Sequence, residues 1–201
     1  MNFLVLGTPL LLFMLNYDWP LSYAIKLVGA VFIIIGLTEL KNDFLAVDKT
    51  KKLLIYFIVF NAVSGIVILS LRFGHAFDND ILKVPLGFRL LALLFWAAAS
   101  IGSVYAMKQI YYLLDVDRDQ LFSTVNLVKL EYTLKKIYYV TVFVYISNVI
   151  YVLLPYRQTG DFFGVLMAIG KIILYVLIIV ATVRFFMVRS DYYQKAEDSE
   201  E

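Results

Sequence analysis

"PLSYAIKLVGAVFIII", residues Pro20 to Ile35, carries one charge, Lys26, in an otherwise apolar run. Extended to Leu40, it reaches the roughly 20 residues that an α-helix needs to cross the hydrocarbon core of a bilayer. Comparable runs follow at about Lys52 to Leu71, Leu86 to Leu114, Lys136 to Leu154 and Phe162 to Val188, separated by short charged stretches. With 62% hydrophobic and 17% charged residues, the chain lies outside the soluble average of about half apolar and a quarter charged. The pattern predicts an all-α, polytopic transmembrane helical bundle, one domain over residues 1–190.

The first apolar segment, residues 2–15, is shorter. At about 1.5 Å per residue it reaches about 21 Å, so it either crosses a thinned or tilted arrangement or lies in the interface. In "NYDWPL", Asp18 suits an N-cap and Pro20 the first turn of the next helix. That tight hairpin favours six spans, with five if the N-terminal segment is interfacial. The segment lacks a basic leader and a small-residue cleavage site, so it is expected to belong to the mature protein.

Orientation follows from Lys and Arg. With six spans and Met1 inside, Lys41, Lys49, Lys51, Lys52, Lys108, Arg118, Lys129, Lys135, Lys136, Arg184, Arg189 and Lys195 face the cytoplasm. Arg72, Lys83, Arg89 and Arg157 lie outside, and Lys26 and Lys171 fall in the outer halves of their helices. The positive-inside rule then gives a cytoplasmic C-terminus, which the five-span arrangement also keeps. The expected location is a cell membrane, the bilayer itself being the first partner. A net charge of +2 without a long basic block argues against nucleic acid.

The even-numbered spans resemble one another. "PLSYAIKLVGAVF" from Pro20 and "PLGFRLLALLF" from Pro85 share Pro-Leu, an aromatic residue, a basic residue and a closing Phe. "LMAIGKIILYVLIIVATV" places Lys171 comparably but has no matching proline. Together with the entries "TKKLLIYF" and "TLKKIYYV", this suggests a two-helix unit used three times, its first copy truncated. Lys26 and Arg89 then mark outer helix ends, their alkyl stems on apolar surface and their charges snorkelling to the headgroups. Lys135 and Lys136 are expected to anchor the opposite side on anionic headgroups.

Lys171 lies deeper, nine residues or about 13 Å past Phe162. A charge at that depth costs about 2.5 kcal/mol or more, so it should face the bundle and a partner. Asn148 falls at similar depth on the preceding helix, and Tyr145, Tyr151 and Tyr175 can supply hydroxyls. These five residues form a candidate ligand site in the outer half, with an anion-friendly character and an unknown small-molecule ligand. The alternative is a purely structural polar contact.

Other polar marks have simpler readings. Asn61, Ser64 and Gly65, and Ser100, Gly102 and Ser103, are the small and polar residues that allow close helix packing in lipid. His75 with Asp78 and Asp80 is one histidine on a loop, too few ligands for a metal site. There is no cysteine, and no HExxH, GxSxG, P-loop or intramembrane carboxylate pair. A protein without catalytic activity, metal or cofactor is expected. The tail, residues 191–201, is acidic and expected to be a disordered cytoplasmic segment.

The stretch "YYLLDVDRDQLFSTVNLVKLEYTLKKIYYV" from Tyr111 combines a polar turn, Ser123 as N-cap and Phe122 as hydrophobic staple. Val125, Val128, Leu130, Leu134 and Ile137 follow at helical spacing, which predicts an amphipathic segment on the inner leaflet running into the fifth span. Leu113, Leu114, Phe122, Ser123, Leu134, Lys135, Lys136, Ile137 and Tyr139 resemble the linker of small bacterial four-helix membrane proteins of unknown function. The resemblance covers about Lys52 to Arg189 and implies a bacterial inner-membrane location, with no activity attached. Two functions fit these observations. One is an accessory or regulatory bundle acting through a membrane-protein partner or self-association. The other is a small-solute or lipid-binding transport component.

Overall fold

The computed structural model describes residues 2–13, 20–39, 45–73, 85–116, 124–154 and 158–198. These residues form α1 (Asn2–Leu12), α2 (Pro20–Glu39), α3 (Leu45–Phe73), α4 (Leu86–Val116), α5 (Thr124–Leu153) and α6 (Gln158–Asp198). Five of them, α2 to α6, are long and apolar enough to cross a membrane. The chain is an all-α, multi-pass membrane protein.

α1 is shorter than the other helices: its 11 residues rise about 16 Å, about half of the hydrocarbon core. α1 contacts α2, α4 and α6, while α2–α3, α3–α4, α4–α5 and α5–α6 pack in sequence around it. Leu4, Gly7, Thr8, Leu11 and Leu12 are buried there. The short helix is a post with one face buried in the bundle and Leu6 exposed on the other.

Small residues make that packing possible. α2 turns Ser22, Tyr23, Lys26, Gly29, Ala30, Ile33, Gly36 and Leu37 inward, a helical stripe. A Cβ on Gly36 would stand 2.7 Å from Leu4 N, and one on Gly29 would stand 2.8 Å from the Leu10 carbonyl carbon and closer still to Leu11 N. A Cβ on Gly7 would meet the Gly29 carbonyl oxygen at 2.8 Å. Backbone touches backbone, the means by which helices associate where lipid removes the hydrophobic drive. The pairs 4–36 and 11–29 also show that α1 and α2 run antiparallel, with the end of α1 level with the middle of α2.

The longer helices overrun their expected bounds at the polar ends. α3 begins at Leu45, and α5 is one continuous helix from Thr124. Its expected apolar stripe divides: Leu130, Leu134 and Ile137 are buried together with Leu127, whereas Val125 and Val128 are exposed. α6 packs against α5. The Arg184 guanidinium of α6 donates through Nη1 to the Lys129 carbonyl oxygen and to Thr133 Oγ1. The tail expected to be disordered is helical as far as Asp198. Extending an existing helix costs little once it is nucleated, and Asn126 Nδ2 donates to Asp191 Oδ2 at 2.8 Å, tying its start to α5. Pro85 begins α4 as expected, its carbonyl accepting from the N–H groups of Phe88 and Arg89 at 3.0 and 3.3 Å. Asp18, His75, Asp78, Asp80, Phe122 and Ser123 lie outside the described residues.

The glycine contacts set a stability test. Gly29→Ala forces α1 away from α2 and should cost about 1–3 kcal/mol, as overpacking does. Gly87→Ala, with nothing within 4 Å of the new Cβ, should cost nothing measurable. Thermal unfolding in one detergent compares the two directly.

Candidate functional site

Lys26 does not snorkel. It is 1% exposed, and its Nζ donates to the Leu11 carbonyl oxygen at 3.1 Å and to Ser103 Oγ at 3.0 Å. Ser103 Oγ in turn donates to the Ala99 carbonyl oxygen at 2.7 Å. Leu11 is next to last in α1, so its carbonyl belongs to the four that the helix itself cannot satisfy. Lys26 is therefore the cap of α1 and the link from α2 to α4. The expected headgroup anchor is not found: Nζ is enclosed and donates within the bundle.

Arg89 is likewise not an exposed anchor. It is 8% exposed, on the inward stripe of α4 with Ala92, Leu93, Trp96, Ala99, Ser100 and Ser103. Its Nε and Nη1 have no hydrogen-bond partner among the described residues, and the same holds for Asn61 Oδ1, Ser64 Oγ and Ser100 Oγ. Tyr23 packs on Gly65, and Lys26 and Asn61 each lie one turn further in. The small polar residues read as packing marks thus line the same stripes as the two buried cations. Lys135 and Lys136, by contrast, are exposed.

The outer-half set lies along α5 and α6. Gly170 abuts Val144 and Phe143, and Gly164 abuts Tyr151, so α5 and α6 are antiparallel. Their register places Asn148 opposite the turn before Lys171, about 7 Å along the axis. Asn148 is 2% exposed, and its Nδ2 has no partner among the described residues. Tyr145 and Tyr151 pack beside the core. The Tyr175 ring lies 5.9 Å from that of Phe13. Lys171 is half-buried.

A concavity lies elsewhere, between α4 and α5 toward the end where α4 finishes. It has a volume of about 760 Å³, within the range of small-molecule sites. None of Lys171, Asn148, Tyr145, Tyr151 and Tyr175 lines it. Its apolar stretch runs along Ala98, Ile101 and Gly102, and its polar end holds Lys108, Glu131 and Lys135. Lys135 Nζ is 2.7 Å from Glu131 Oε1, one helical turn away. Tyr111 Oη donates to Glu131 Oε2 at 3.4 Å, which sets α4 and α5 in register and brings Lys108 level with Lys135. Lys108 Nζ lies over the Tyr112 ring, 5.5 Å from its centroid. A smaller groove of about 290 Å³ lies on the other side of Ala98, Gly102 and Tyr105, against Tyr56, Phe57 and Phe60 of α3. Gly102 accordingly serves two purposes: a Cβ there would stand 3.1 Å from the Phe57 ring, and its open side forms the groove floor.

Sequence reading missed this groove. Its signal was the spacing Ala98, Gly102, Tyr105, Lys108, a small-to-large gradient on one face of α4 that ends in a charge. Comparison with known protein families, curated proteins and solved structures finds no match to this chain.

The capping role predicts a specific loss. Lys26→Met leaves the Leu11 carbonyl without its donor and should cost about 1–3 kcal/mol, the penalty of an unsatisfied buried group. Hydrogen exchange should quicken in residues 2–12. A headgroup anchor would instead tolerate methionine with no change in either measurement.

Proposed function

We propose that this chain is a non-catalytic membrane protein that holds an amphiphile in the groove between α4 and α5. Of the two functions the sequence allows, this is the lipid-binding one, moved from the outer half to the opposite half of the bundle. The observation that carries it is the pairing of an apolar channel with a charged end: Ala98, Ile101 and Gly102 at one extreme, Lys108, Glu131 and Lys135 at the other. A water-soluble metabolite gains nothing from the first, and a hydrocarbon gains nothing from the second. An amphiphile satisfies both. The positive-inside reading places the charged end at the cytoplasmic leaflet, with the C-terminus on the same side.

Filling the channel tests the proposal. Ala98 is exposed on the groove wall, so Ala98→Trp fills space without entering the core. Phospholipid co-purified from detergent-solubilised membranes should fall well below the wild-type amount, while the unfolding temperature in lipid-free detergent stays unchanged. Equal lipid retention by the variant contradicts the proposal.

A further inference from the structure

We infer that the amphiphile is an anionic phospholipid of the leaflet beside Lys108, seated with its headgroup at Lys108 and Lys135 and one acyl chain running toward Ala98. This rests on the groove being an amphiphile site at all. Three observations select the lipid and its direction.

The first is length. Ala98 and Lys108 are ten residues apart on one straight helix, about 15 Å. That is half of the roughly 30 Å hydrocarbon core, the depth of one leaflet. The groove therefore matches a single leaflet's acyl region and ends where the headgroups begin.

The second is charge. The polar end contains two ammonium groups and one carboxylate. Glu131 is engaged by Lys135 at 2.7 Å and accepts from Tyr111. Lys108 lies over the Tyr112 ring, and its attraction to Glu131 is weaker than that of Lys135. One positive charge is left over at headgroup level, which complements a phosphate carrying a net negative charge better than a zwitterion. A basic residue near an anionic membrane surface contributes about a factor of five in affinity.

The third is the hydroxyl arrangement. Tyr105, Tyr138 and Tyr139 line the groove between the apolar stretch and the lysines. Tyrosine suits that boundary, with its ring in hydrocarbon and its hydroxyl among polar headgroups. The order along the groove is thus small apolar residues, then tyrosines, then lysines, the same order as acyl chain, ester region and phosphate.

Native mass spectrometry of the full chain tests the inference, with equal amounts of phosphatidylglycerol and phosphatidylcholine added to delipidated protein. The expected result is preferential phosphatidylglycerol binding to the wild type. Lys108→Gln should lower that preference about fivefold, whereas Glu131→Gln, which frees Lys135, should raise it. Lys49→Gln, an exposed lysine of α3 away from the groove, should change nothing. Loss of fold cannot raise binding, so the opposite signs of the two groove variants separate recognition from damage. If both lipids bind equally and Ala98→Trp still removes them, the headgroup inference is overturned and the amphiphile site survives. If Ala98→Trp leaves both lipids bound, both fall. A dimer of this chain that Ala98→Trp dissociates would also overturn the inference, by naming a second copy as the occupant.

Discussion

A helix that stops inside a bilayer leaves carbonyl groups with no water to accept from, and each such group costs several kcal/mol unless the protein supplies a donor. α1 stops there. Its end is level with the middle of α2, and the ammonium of Lys26 reaches Leu11 from the neighbouring helix. The same nitrogen donates to Ser103 of α4. One side chain therefore answers the open end of the short helix and fixes two long helices around it. This interaction explains why a charge survives in a run as apolar as residues 20–35: its partners are a helix terminus and a hydroxyl.

The rest of the bundle follows from holding that post in place. α2 must offer glycines at 29 and 36, because α1 approaches it backbone to backbone. α4 must turn Ser103, and with it Ser100, Trp96 and Arg89, toward the interior. On a helix of 3.6 residues per turn that orientation decides the other face as well. Ala98, Gly102, Tyr105 and Lys108 are left to look sideways along α5, where Glu131 and Lys135 meet them. The groove is thus set by the same rotation of α4 that brings Ser103 to Lys26. Site and scaffold share one helix.

The long spans were legible because about 20 consecutive apolar residues have few other uses, and helix starts such as Pro85 carry local chemistry. What the sequence hid was direction. Lys26 and Arg89 occupy the positions of snorkelling residues near helix starts, and nothing in the one-dimensional pattern says whether such a residue faces lipid or a neighbour. The answer depended on α1 ending opposite Gly29, a tertiary fact. Leu127, rather than Val125 or Val128, marks the buried side of early α5 for the same reason: an apolar stripe in a membrane protein can satisfy protein or lipid equally well. The groove was hidden because it is built from absence of bulk at Ala98 and Gly102, which also reads as ordinary close packing. Residues 191–198 look too polar to order on their own, and they are helical as the continuation of α6 beyond Asp191, the residue tied to Asn126.

The fold depends on Lys26 Nζ being enclosed among α1, α2 and α4. Amine-reactive labelling of the folded protein in detergent, read residue by residue by mass spectrometry, measures that enclosure directly. Lys108, Lys135 and Lys136 should be modified quickly, and Lys26 only after unfolding. Modification of Lys26 in the folded protein at the rate of Lys108 would contradict the account, because an ammonium open to reagent is not capping a helix inside the bundle.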